Sequence, residues 1–288
     1  MVVTVTEVVM RDGLQDEPVV VEVGDRIAIA AALVAAGLRE IEAVSFVNPA
    51  RVPQMAGAEE VFAALPHRDG VRYSALALNA RGVRRAVAAG AGEVTLVASA
   101  GQGHSRANAG RGVEQALQEA AEVVAAHPGT RFAAGIATAF VCPFDGDIEP
   151  RRLLAIAQRF AGMGITRIGL ADTLGTATPR QVVRSLDVVR DALPDVELSL
   201  HLHNAHGQAL DTVDAALELG VARFDSAAGG YGGCPFAPGA HGNIATEQLV
   251  AHLHARGIPT GVDEHALAEA VALVREALAR GRSCPTSS

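Results

Sequence analysis

The sequence contains no lysine; all 24 of its Lys and Arg residues are arginine. This excludes a Schiff-base aldolase, a lysine-anchored pyridoxal enzyme and a P-loop nucleotidase, because each depends on that amine. Any carbanion chemistry must then draw on a metal or another electrophile. Cysteine is scarce as well. Cys142, Cys234 and Cys284 form no C-x-x-C pair, so neither a disulfide framework nor a structural zinc site is expected. No uninterrupted apolar run is long enough to span a bilayer, and MVVTVTEVVMRDG lacks the basic, apolar and small-residue order of a secretory leader. A net charge of −8 argues against nucleic acid and anionic membranes as partners. These absences predict a cytoplasmic protein.

What is present is a large apolar fraction, 49% of 288 residues. That is enough to bury the core of one α/β barrel or of two smaller domains. Eight β-rich runs alternate with longer Ala/Leu/Arg runs of helical period: VTVTEVVM (about 2–9), REIEAVSF (39–46), RYSALALN (72–79), EVTLVASA (93–100), RFAAGIATAF (131–140), RIGLADT (167–173), ELSLHLHN (197–204) and ARFDSAAG (222–229). Glycine recurs just ahead of the next strand, as in AAGLREIE and MGITRIGL, where a helix stop is expected. Nearly continuous apolar strands in eight βα units predict a (β/α)8 TIM barrel. Extra C-terminal helices are expected over 244–256 and 263–280. No composition shift divides the chain, so 1–288 reads as one catalytic domain with a frayed tail from about 281.

Barrel enzymes gather their chemistry at the C-terminal ends of the strands. There the sequence offers Arg11 and Asp12 after strand one, Glu42 on strand two, Asp172 and Thr173 on strand six, and His201 and His203 on strand seven. Asp225 and Ser226 close strand eight, before GGYGGCPFAPGAHGN. His201 and His203, two apart in a strand, leave the same face roughly 6 to 7 Å apart and suit one cation. Most inward-capable charged groups are expected on this one rim. Asp12, His201, His203 and Asn243 make a mixed oxygen and nitrogen set that suits Mg²⁺ or Mn²⁺ at an open, catalytic position.

MRDGLQDEP, IEAVSFVNPARVPQM, LADTLGTATP, HLHNAHGQAL and GGYGGCPFAPGAHGNIATE, in this order from about residue 4 to 280, together resemble the hydroxymethylglutaryl-CoA lyase family. The resemblance implies cleavage of 3-hydroxy-3-methylglutaryl-CoA, an acyl-CoA thioester, to acetoacetate and acetyl-CoA. It implies that Asp12, His201, His203 and Asn243 hold a divalent metal, which would chelate the substrate's hydroxyl and free carboxylate. Arg11 would stabilise the enolate as a fixed cation. Cys234, in a glycine-rich loop at the barrel mouth, would pass a proton to the acetyl-CoA carbanion. Glu42 and Asp172 would support the ligands or handle protons, or would simply pair with Arg11, and the sequence does not divide these roles. His206 reads as a polar residue at a helix start, and Cys142 and Cys284 as structural.

The chain departs from the family pattern at ASAGQGHSRANAG (98–110), where His104, Arg106 and Asn108 replace a glutamate and an aromatic. ATAFVCPF on strand five and Asn204 after His203 differ too. These segments lie at the expected barrel mouth and could reshape the acyl pocket. A citramalyl-CoA lyase, a lyase for a longer 3-alkyl homologue, and a catalytically silent barrel are the other readings. Arg51, Arg81, Arg106 and Arg111 are candidates for the CoA phosphates, and a homodimer or higher homo-oligomer is implied by resemblance.

Overall fold

The computed structural model describes residues 2–233 and 242–283, the side chains of 282 and 283 excepted. Eight parallel strands close into a barrel: β1 (Thr4–Glu7), β2 (Glu40–Ser45), β3 (Arg72–Ala77), β4 (Glu93–Ser99), β5 (Arg131–Ala137), β6 (Arg167–Asp172), β7 (Glu197–Leu202) and β8 (Arg223–Ser226). β1 pairs with both β2 and β8, which completes the ring. This is the expected TIM barrel. The C-terminal helices run Thr246–Ala255 and Glu264–Ser283. No described helix is long and apolar enough to cross a membrane.

The strands end before their apolar runs do, and at three of them a local reason is visible. β1 stops at Glu7 because Val9–Gly13 winds into a π-helical turn, with the Asp12 and Gly13 amides both bonded to the Val8 carbonyl. β5 stops at Ala137 because Thr138 turns to φ 50°, a left-handed conformation held by bonds from its amide to Thr173 Oγ1 and to its hydroxyl from the Gly101 amide. In β8, pairing ends at Ser226 as Ala227 bridges to Ala245 instead. Within segment 98–110, Gln102–Ala109 is a helix that buries His104 against Ser99 Oγ, 2.8 Å from its Nδ1.

The outer faces of the strands carry the hydrophobic core. Val94, Leu96, Ile168 and Leu170 are buried against the helices. Inward positions behave differently, for Thr95, Val97, Gly169 and Ala171 keep partial accessibility inside the barrel. A β-bulge between Glu42 and Val44 in β2 shifts its alternation, so Ser45 rather than Val44 faces the lumen.

The charged groups do not gather on one rim as the sequence predicts. A second set closes the N-terminal end of the barrel, where Glu40 pairs with Arg72 and Arg223, and Arg167 Nη1 reaches Glu93 at 2.8 Å and Glu40 at 3.4 Å. Alternation explains the miss. Inward positions of a strand run its whole length, so the same face that carries Glu42 at the top carries Glu40 at the bottom.

Candidate active site

At the C-terminal end of the barrel the π-helical turn carries Arg11 and Asp12 over the lumen. The turn hangs on Glu7, whose Oε1 accepts the amides of Val9 (2.8 Å) and Ala228 (3.0 Å) and whose Oε2 accepts the Thr246 hydroxyl (2.7 Å). One buried carboxylate thus ties β1, the loop after β8 and the following helix together. Burial outweighs those three bonds and pushes the Glu7 carboxyl up to about 7.

Among the described residues, Asp12, His201 and His203 present ligand atoms that all lie within 4.8 Å of one another. The two Nε2 atoms are 3.2 Å apart, and Asp12 Oδ2 lies 3.6 Å from His201 and 3.8 Å from His203. Asn243, bridged to His203 across the backbone, donates from Nδ2 to Asp12 Oδ2 at 2.7 Å and to the Tyr231 carbonyl at 2.9 Å. Its Oδ1 is buried with no partner among the described residues. A buried acceptor without a donor costs about 1–3 kcal/mol, so this atom suits a cation. The donor set fits a divalent ion with room for further oxygen ligands.

Electrostatics agree with that fit. Burial alone would raise Asp12, but Arg11 and the two histidines hold it well below the usual carboxylate range. Burial alone would lower His201, yet its bonds to Asp12 and Asp225 bring it up to about 10. The cluster therefore draws positive charge to the point where the two Nε2 atoms meet.

The loop after β8 reaches this cluster only because position 232 is glycine. Its φ is 113°, and a Cβ there would sit 2.3 Å from Asn243 Nδ2 and 3.1 Å from Asp12 Oδ2. Gly175 has a similar role after β6: at φ 67° a Cβ would press within 2.6 Å of the Ala205 amide nitrogen.

Of the residues singled out from sequence, Arg11, Asp12, Glu42, His201, His203 and Asn243 come together. Arg11 pairs with both Asp12 and Glu42, and these carboxylates raise its already high pKa against the effect of burial. Asp172 stands apart. Its two oxygens accept the amides of Gly175 (3.1 Å) and Ala177 (3.0 Å), and its carbonyl accepts the His203 amide (3.3 Å). Burial raises its pKa against those bonds. His206 precedes the helix that starts at Ala209, whose amide bonds to Asn204 Oδ1 at 3.1 Å. Cys142 is buried. Cys234, Cys284 and the tail from 284 lie outside the described residues.

Sequence reasoning placed Asp225 on the rim without giving it a role, and missed Glu7. Asp225 Oδ2 sits 3.2 Å from His201 Nδ1 and fixes the ring from behind, and Glu7 anchors the turn. The signal for Asp225 was available, since it lies at an inward position of β8 directly beside His201. Above and below the cluster runs a cavity of about 1070 Å³, lined at its mouth by Asn48, Arg51, Arg81 and Arg111 and in its depth by the barrel lumen.

The HMGL-like family model matches residues 2–274. The (R)-citramalyl-CoA lyase of Chloroflexus aurantiacus is 43% identical over 277 residues, covering 92% of this chain and 87% of its own. The 3-hydroxy-3-isohexenylglutaryl-CoA/hydroxy-methylglutaryl-CoA lyase of Pseudomonas aeruginosa is 41% identical over 270 residues, 93% of this chain and 90% of its own. Among solved structures, an HMG-CoA lyase of Acinetobacter baumannii in complex with coenzyme A and 3-methylmalate superposes with a TM-score of 0.93 at 41% identity, over 96% of this chain and 92% of that one. An inward Asp–His–His cluster on a closed barrel and this similarity along nearly the whole length lead to one conclusion: the chain is an enzyme that belongs to the HMGL-like family of lyases.

Proposed function

We propose that the enzyme cleaves 3-hydroxy-3-methylglutaryl-CoA to acetoacetate and acetyl-CoA, with a divalent metal, Mg²⁺ or Mn²⁺, held by Asp12, His201, His203 and Asn243. The observation that carries this reading is Asn243 Oδ1, buried without a partner among the described residues, beside the three clustered groups. The names of the relatives support an acyl-CoA substrate with a 3-hydroxyl and a second carboxylate.

When bound, the cation supplies Lewis acidity that makes the substrate's tertiary hydroxyl easier to ionise. The chain does the rest. Asp225 holds His201 through Nδ1, so that Nε2 stays aimed at the cluster. Glu42 lines the cavity and is the carboxylate that takes part in handling the hydroxyl proton, while Asp172 positions His203 through the loop it organises. As the carbon–carbon bond breaks, its electron pair moves into the thioester as an enolate. Arg11, kept charged and held in place by Asp12 and Glu42, stabilises that oxygen. Cys234 then delivers a proton to the acetyl-CoA carbon. Arg51, Arg81 and Arg111, which line the cavity, and Arg106, five residues before Arg111, are assigned to the CoA phosphates.

The similarity to a citramalyl-CoA lyase keeps that thioester as the second substrate to assay. A silent barrel would have lost a ligand, and the sequence keeps all four residues. The test is acetoacetate release from purified, metal-stripped protein with and without added Mg²⁺ or Mn²⁺. Metal-dependent turnover that vanishes in His201→Ala and drops steeply in Cys234→Ala is expected. Protein that binds no metal would sink the mechanism, and metal-bound protein that releases nothing would redirect the search to other 3-hydroxy-acyl thioesters.

A further inference from the structure

TIM-barrel interiors are ordinarily filled by layers of bulky branched side chains. This one is not. In β4, Glu93, Thr95 and Val97 point inward and remain partly accessible, while Val94, Leu96 and Ala98 between them are buried. β6 repeats the pattern, with Arg167, Gly169 and Ala171 accessible and Ile168 and Leu170 buried. The strands thus hide their outer faces and leave the inner ones open to a molecule the size of water.

The void continues the cavity that holds Asp12, His201 and His203. Its walls are small residues, Ala133, Gly135, Gly169 and Ala171, and hydroxyls, those of Thr6, Ser74, Thr95 and Ser199. Its floor is Glu40, Glu93, Arg167 and Arg223. From Ala171, beside His201, to Arg167 on the floor is four residues, about 13 Å along the strand and about 10 Å along the barrel axis. A methyl group at the top would leave nearly all of that depth unfilled.

We propose that this lumen is a subsite for the branch carried on the substrate's hydroxyl-bearing carbon, and that, beside the methyl branch of the proposed substrate, it takes more tightly a longer branch ending in a neutral hydrogen-bonding group. The inference rests on the proposed reaction for which carbon reaches the cluster. Branch polarity follows from the lining. A purely apolar branch would displace water from the hydroxyls of Ser74, Thr95 and Ser199 without offering them a replacement bond. A carboxylate at the tip would be unmatched, because the three guanidinium groups at this end, Arg72, Arg167 and Arg223, are already set against three carboxylates, Glu40, Glu93 and Glu197. A hydroxyl or carboxamide tip meets both limits.

Gly135 offers the cleanest probe of this. It has an ordinary backbone, and a Cβ there would meet only Val97 Cγ2 at 3.6 Å and Thr95 Cγ2 at 3.9 Å. Gly135→Val therefore narrows the lumen without a backbone clash, and Thr95→Val removes one hydroxyl at constant shape.

The experiment measures, by calorimetry on full-length protein with Mg²⁺, binding of three free acids: 3-hydroxy-3-methylglutarate, its 3-(4-hydroxybutyl) analogue and its 3-pentyl analogue. The hydroxybutyl acid is expected to bind at least tenfold tighter than either of the others. Gly135→Val should erase that preference and Thr95→Val should reduce it. Equal affinity for the hydroxybutyl and methyl acids, a pentyl acid that binds as well as the hydroxybutyl one, or a preference that survives Gly135→Val would each overturn the subsite. Acid binding reports on the lumen without turnover, so the expected preference in a protein that cleaves no thioester would leave the subsite standing and reject the proposed reaction.

Discussion

Asp12 and Asn243, 231 positions apart, meet through a 2.7 Å hydrogen bond from the Asn243 amide to Asp12 Oδ2, and that amide's own oxygen is left buried with no partner among the described residues. The pair is half of the proposed ligand set. Asn243→Ala should weaken Mn²⁺ binding at least tenfold by calorimetry. An unchanged affinity would remove Asn243 from the ligand set.

His201 holds a proton up to about pH 10 in the metal-free cluster, because Asp12 and Asp225 outweigh the effect of burial. A cation must displace that proton to reach Nε2. Metal affinity should therefore rise about tenfold per pH unit between pH 6 and 8, with about one proton released for each cation bound. Titration in buffers of different ionisation enthalpy counts the protons, and a count of zero would contradict the assignment.

Glu7 is a buried acid whose carboxyl is pushed up to about 7 from 4.5, so the folded state binds its proton more tightly than the unfolded chain does. Its contribution is fully present below about pH 4.5 and is lost as pH rises through 7, on the order of 3 kcal/mol in all. Glu7→Gln keeps an acceptor for the Val9 and Ala228 amides and carries no charge. The variant should be more stable than the parent at pH 8 and should lose little stability between pH 5 and 7, as read from urea midpoints. A variant that tracks the parent across that range would refute this account.

Glu40 neutralises Arg223 and Arg72 at the floor, with Arg167 also within 3.4 Å. Truncating one partner of a buried pair leaves a charge without compensation, which costs about 3–5 kcal/mol. Glu40→Ala should fall in that range, and pairing it with Arg223→Met should recover part of the loss. Additive losses in the double variant would show that the two residues are not coupled.

Arg11→Met should lower kcat/KM by about 10²–10³ with little change in the affinity for Mn²⁺, since a donor to a developing oxyanion acts mainly in the transition state. A large loss of metal affinity in that variant would instead make Arg11 a positioning residue for Asp12.

The sequence by itself determined the barrel. Eight apolar runs of strand length, glycine at the helix stops and polar residues after the strands are local signals, carried by backbone propensity and by periods of 2 and 3.6 residues. It also determined that His201 and His203 share a face, because alternation in a strand requires it. Tertiary structure alone decided what those faces meet. The π-helical turn that swings Asp12 over the lumen depends on Glu7, Ala228 and Thr246 closing around it, and Asn243 joins Asp12 across nearly the whole chain. Asp225 reaches His201 because β7 and β8 pair in one register, while Asp172, equally prominent in sequence, turns its carboxylate to its own loop. The open lumen and its charged floor were hidden for the same reason: whether small inward residues from eight strands leave a void depends on all eight at once, and no local pattern carries that sum.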